Sequence, residues 1–192
     1  MRIPTQIAVA AVLSIAAGFA LATLRPDPPA AAGTTVRLEL DELVQHARLV
    51  LEARVLDARV LVEPGGRIVT EYELATLHTW WGEDLPTRVV RLPGGVLPDG
   101  SGLWIPGVPR LAVGERAILF LSAPSAGGMR MPVGLFQGRM RVVRTSSGAP
   151  LVAVDGPEGL AGGRDYAAVR AELEAAAAAR RARAAETDGE GK

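Results

Sequence analysis

The sequence has no cysteine, which excludes disulfides, thiol nucleophiles and cysteine-type zinc sites. It has no asparagine either, and Lys192 is its only lysine among 21 basic residues. With Ala, Gly and Pro abundant, this pattern reads as the codon bias of a GC-rich genome, so any single Arg carries little functional information. Excess charge of either sign is also missing, with 21 acidic residues balancing the 21 basic ones. No global field would draw the chain onto nucleic acid or anionic lipid. Phosphate-cradling patterns such as GxxxxGK[ST] and GxGxxG do not occur, so nucleotide binding has no support. Only His46 and His78 are available as imidazole ligands, and they follow no HxH or HExxH spacing. No metal and no cofactor is expected.

The amino-terminal segment is the clearest signal. Arg2 precedes an apolar run from Ile7 to Leu24 that is interrupted only by Ser14, Gly18 and Thr23, the architecture of a signal peptide. Small residues favour cleavage after Ala22, with Ala20 and Ala22 at the required spacing, or else after Ala32. The competing reading is an uncleaved anchor, since about 18 apolar residues is the lower limit for spanning a hydrocarbon core. Residues 1–22 are thus assigned as signal peptide or anchor, and 23–38, with Pro26, Pro28 and Pro29, as a Pro/Ala linker. Lipoprotein anchoring is excluded by the missing cysteine. Export without disulfides leaves packing alone to stabilise the fold.

The rest is long enough for one domain of roughly 130 to 150 residues. Asp41 to Ala47 read as a short helix with acidic residues where the helix dipole favours them. Two runs rich in Val, Leu, Thr and aromatics then flank Pro64, Gly65 and Gly66, the pattern of a long β-hairpin. With that loop, Glu63 faces Arg67, Arg59 faces Glu71 and Glu52 faces His78, while Asp57 opposes Glu73 unfavourably. Leu49, Leu51, Ala53 and Val55 make one face apolar near the base, but near the tip Ala58, Val60, Tyr72 and Leu74 make the other face apolar. A hairpin whose buried parity changes midway must coil strongly or carry a bulge.

Further strands are expected at Thr87 to Leu92, Gly102 to Ile105, Glu115 to Leu121, Met129 to Arg144 and Leu151 to Val154, separated by Gly/Pro turns. The fold class is therefore mainly β: a small OB-like closed or partly open β-barrel over 39–156, with a short N-terminal helix. Asp165 is placed to cap a C-terminal helix over 164–184, with Tyr166, Val169, Leu173 and Ala177 on one face. Arg180, Arg181 and Arg183 suit its C-terminal end, and 185–192 are expected to be a disordered tail.

Leu43, Val44, Ala47, Leu49, Val50 and Val55, followed by Thr70, Tyr72, Leu74, Trp81, Gly82 and Pro93-Gly94-Gly95, begin a recognisable order. Pro106, Gly107, Gly114, Glu115, Phe120, Leu121, Gly134, Gln137 and Gly138 complete it. Over roughly residues 40 to 145 this order resembles a group of exported bacterial proteins of unknown function. More distantly, the hairpin, its aromatic-Gly ending and the following Gly-led strand resemble the netrin-like OB-fold domain of the tissue inhibitors of metalloproteinases. That resemblance implies the barrel but not inhibition, because the inhibitors chelate zinc through an N-terminal cysteine and this chain has none.

Individual residues sort into bland and functional readings. Glu71 and Glu73 share a strand face, and such carboxylate pairs serve in glycoside hydrolysis, but pairing with Arg59 in solvent argues against it. His78 reads as an exposed partner of Glu52, and His46 as a surface partner of Glu42. Ser101 follows Asp99-Gly100 without the first Gly of a GxSxG elbow, which is turn chemistry. Arg139, Arg141 and Arg144 would suit a basic groove, yet read as a solvated strand face. Trp80 and Trp81 should point to opposite sides of their strand, one inward and one toward solvent or a loop.

The expected function is an exported, periplasmic or extracellular, non-catalytic binding module for a protein or glycan of the cell envelope. Trp80, Trp81, Trp104 and Arg110 are its candidate ligand-binding residues, together with the loops from Pro93 to Pro109. The alternatives are an envelope hydrolase using Glu71, Glu73 or His78, and a structural envelope protein held by an uncleaved N-terminal helix. No nucleic-acid partner is expected, and a membrane is a partner only in the anchored case.

Overall fold

A computed structural model describes residues 36–156 and 159–190. The signal or anchor assignment, nearly all of the linker and the last two residues lie outside the described residues. Among those described, no helix is long and apolar enough to cross a membrane.

The fold is mainly β with a C-terminal helix. After helix α1 (Leu40–His46) come strands β1 (Leu49–Val62), β2 (Ile68–Trp81) and β3 (Thr87–Pro93). Short strands β4 (Gly95–Val96) and β5 (Gly102–Leu103) form a two-stranded outlier. They are followed by β6 (Arg116–Leu121), a 3₁₀ turn (Leu135–Gly138), β7 (Arg139–Arg144), β8 (Pro150–Gly156), β9 (Gly159–Asp165) and helix α2 (Tyr166–Glu190). The main sheet is antiparallel with the order β3-β2-β1-β6-β7-β8-β9.

A closed or a partly open barrel is expected from the sequence; this sheet has two edges and does not close, which corrects the closed form. The β3 edge meets only a single parallel bridge, Arg91 to Met129, from the segment that returns past the end of β6 through the Leu121 to Pro132 bridge. Pro132 has no N–H to offer and Gly128 turns the chain at positive φ, so that segment cannot extend a ladder along β3. The expected strand over Met129 to Arg144 is accordingly shortened to β7.

β1 and β2 pair in the expected register at the tip, with Arg59 opposite Glu71 and Asp57 opposite Glu73, and again at Glu52 opposite His78. Between these points the register slips, leaving Leu56 unpaired on β1 and Leu77 unpaired on β2, and it slips again past Glu52, leaving Trp80 unpaired. These bulges account for the parity change in the sequence. Leu49, Leu51, Ala53 and Val55 line one side of the sheet, and the extra residue Leu56 lets Ala58 continue on that same side. In space the buried side is continuous, and only its sequence parity changes.

Two cores result, one on each face of β1. Leu49, Leu51, Ala53 and Val55 pack with Tyr72, Leu74, Val90, Leu92, Leu119 and Leu121. Val50, Ile118, Phe120, Met140 and Val152 face the other way, against Leu43 and Val44 of α1 and Val169, Leu173 and Ala177 of α2. The i, i+4, i+8 spacing of those three α2 residues is what docks the helix. Asp165 caps it as expected, its carboxylate accepting from Ala168 N–H at 2.8 Å.

Two features of this end differ from expectation. Gly159–Asp165, where the sequence predicts no strand, pairs with β8 as the last strand. The helix also runs to Glu190 where a disordered tail was expected, because Ala184, Ala185 and Glu186 are good helix formers. Arg180 does not serve its own helix end: its guanidinium donates to the carbonyls of Val44 at 2.5 Å and Ala47 at 2.6 Å, closing the C-terminus of α1.

Candidate functional site

Trp104 follows β5 on the loop that leaves the two-stranded outlier. Its position is fixed from below. Thr70 donates its hydroxyl to Gly94 O at 2.7 Å, and a Cβ on Gly95 would lie 2.6 Å from Val60 Cγ1, so only glycine lets this loop sit on the hairpin. Leu97 N–H donates to Ser101 O at 2.7 Å, and Ser101 donates both N–H and hydroxyl to Asp99 Oδ1, closing the turn. Those two hydrogen bonds hold the Asp99 carboxyl below its ordinary value. The far end is tied down by Arg139, which donates to Arg110 O at 2.5 Å.

On this scaffold Trp104 is 64% exposed, with the Arg110 guanidinium stacked over its ring at 4.5 Å. The hollow beneath, lined among others by Tyr72, Leu92 and Val108, holds about 10 Å³, room for about one water. Whatever meets Trp104 therefore meets it at the surface. Val96, paired with Gly102, and Leu103, paired with Gly95, are also exposed in the outlier.

Trp80 and Trp81 lie elsewhere. Trp80 is 2% exposed, and both rings pack in the core beneath α2, not on opposite sides of the strand. The bulge at Trp80 breaks the alternation that would have separated them. Arg180 sits 3.9 Å above the Trp81 ring, and Arg181 donates to Trp80 O at 3.1 Å. Of the four expected contact residues, the fold therefore brings Trp104 and Arg110 together, buries Trp80 and leaves Trp81 half-buried against the same core. Comparison with protein-family models, curated proteins and solved structures finds no match to this chain.

The hydrolase residues are not assembled. Glu71 pairs with Arg91 at 3.0 Å, while Arg59 pairs with Asp57 at 2.7 Å. His78 lies on the helical face, its Nε2 3.0 Å from Glu174 Oε1 of α2. Glu42 does not pair with His46; it accepts the Glu39 N–H at 2.7 Å in a capping box. Among the described residues no three His, Asp or Glu side chains cluster as metal ligands.

Sequence reasoning missed a buried polar triad. Glu52, expected at the surface, is 1% exposed. Arg116 donates its Nε–H to Glu52 Oε1 at 2.5 Å, Tyr166 donates its hydroxyl to Oε2 at 2.8 Å, and Arg116 also donates to the Tyr166 oxygen at 2.7 Å. Burial would lower the Arg116 pKa, but the hydrogen bonds and charges of Glu52 and Tyr166 carry it above the ordinary value. Burial first, then the hydrogen bond and charge of Glu52, raise Tyr166. Arg139 and Arg141 are likewise no solvated face: both bind Asp155, Arg141 at 2.8 Å, and Arg139 also lies 3.4 Å from Glu115.

Proposed function

We propose that this chain is an exported, non-catalytic binding module that meets a protein of the cell envelope through the loop carrying Trp104 and Arg110. The single observation behind this reading is the exposed Trp104 ring under the Arg110 guanidinium on a loop pinned at both ends. Trp and Arg are the side chains that contribute most at protein interfaces. An anchored loop also loses little conformational freedom on binding. The signal-like N-terminal run supports export, and the coiled sheet with its bridge at Arg91 supports a partly open, OB-like barrel as the scaffold.

The test immobilises the mature protein and exposes it to envelope protein and envelope glycan fractions separately. A retained component lost with Trp104→Ala and Arg110→Ala, but kept with Arg59→Ala, supports the proposal if it comes from the protein fraction. Retention from the glycan fraction alone replaces the partner class. Retention indifferent to Trp104, or turnover of a component, removes the reading. Mass spectrometry of the mature N-terminus checks export: a start near Thr23 or Gly33 excludes the anchored alternative.

A further inference from the structure

The seam between β6 and β7 opens into a cleft. These strands pair only from Ala117 opposite Arg141 to Leu119 opposite Arg139. β6 nevertheless stays with β1 down to Arg54 opposite Arg116, and Val55 N–H still donates to Glu115 O at 2.9 Å. β7 stays with β8 up to Arg144 opposite Pro150. The two pairs therefore splay apart and leave a cleft of about 380 Å³. That volume lies within the range of small-ligand sites.

Its lining carries Arg54, Arg116, Arg141 and Arg144, with Glu115 as the one acidic residue, and Val142, Val143 and Pro150 as an apolar wall. Arg54 and Arg116 stand directly opposite each other, a like-charge pair that an antiparallel ladder disfavours unless an anion offsets it. Glu52 does so for Arg116, and Asp155 is shared between Arg139 and Arg141. Among the described residues, however, neither Arg54 nor Arg144 has a carboxylate partner; Arg144 donates only to Gly148 O at 2.9 Å. Arg141 Nε is buried without an acceptor. Four guanidiniums thus line the cleft with one carboxylate among them, and the positive charge of Arg54 and Arg144 is left without a carboxylate partner there.

We infer that this cleft is a binding site for a small anion bearing a carboxylate or phosphate group, separate from the Trp104 loop and independent of its function. The planar guanidinium forks of Arg54 and Arg144 match either group. The valine and proline wall accommodates an apolar substituent beside it.

Isothermal titration and amide NMR of the mature protein, with inorganic phosphate and citrate as separate probes at low and moderate salt, test this. The expected result is saturable binding of at least one probe, with shifts at Gly114, Val143 and Arg144. Affinity should fall at least tenfold in Arg54→Ala/Arg144→Ala and stay unchanged in Arg59→Ala. Which probe binds distinguishes the phosphate source from the carboxylate one. Binding by neither, shifts confined to other surfaces, or an equal loss in Arg59→Ala would overturn the assignment. The doubly substituted residues support no carboxylate, so an unchanged thermal unfolding curve should accompany the loss.

Discussion

Glu52 shows how a correct pairing can hide a wrong environment. Its register opposite His78 is legible from the turn, but β1 at this point has a helix above it, and no alternation rule reveals that Tyr166 and Arg116 arrive there from distant sequence. Removing one partner from a buried ion pair leaves the other uncompensated, so Glu52→Leu should cost about 2 to 4 kcal/mol in urea unfolding. The partial exposure of Arg116 argues for the lower end of that range. Glu52→Leu/Arg116→Met should recover at least half, whereas Arg59→Ala should stay within about 0.5 kcal/mol. Tyr166 gives a pH signature. Its native pKa is raised, so the folded chain keeps a proton that the unfolded chain releases. Stability from this group is full below about pH 10 and is lost as pH rises through the raised value. Urea midpoints between pH 8 and 11 should decline less steeply in Tyr166→Phe than in the parent.

At the level of elements, most strands could be read from alternation and turn residues, and the β1–β2 hairpin down to its register. What could not be read was where the extra residues sit, because a bulge leaves only a parity change behind and several positions satisfy it. Leu56 is 43% exposed and carries no core contact, so Leu56→Thr should cost less than about 1 kcal/mol. Deleting it should close the bulge and leave Val55, Asp57 and Ala58 in regular alternation opposite Leu74, Glu73 and Tyr72, so the deletion should still fold and cost no more than about 3 kcal/mol, as far-ultraviolet circular dichroism in urea would show. β9 escaped detection because Gly159, Gly162 and Gly163 read as turn residues; its pairing with β8 is backbone chemistry that side-chain pattern does not report. The buried stripe of α2 was legible, and Leu173→Ala should cost about 2 to 5 kcal/mol.

In the whole molecule, β1 and β6 are buried on both faces, so the helices and the coiled hairpin share their central strands. Closure was the part that sequence could not decide, since it depends on how one Gly/Pro segment meets the β3 edge. Of the candidate contact residues, Trp104 was legible from its Gly/Pro loop, while the fate of Trp80 and Trp81 turned on one bulge. The account predicts three tryptophans in three environments, with only Trp104 available to a partner. Hydroxyl-radical footprinting of the mature protein measures this directly, alone and with the envelope fraction it retains. Trp104 should oxidise fastest in the free protein and become protected in the complex, with Trp80 inert in both. Equal reactivity of Trp80 and Trp104 in the free protein, or a Trp104 rate untouched by the bound partner, would contradict it.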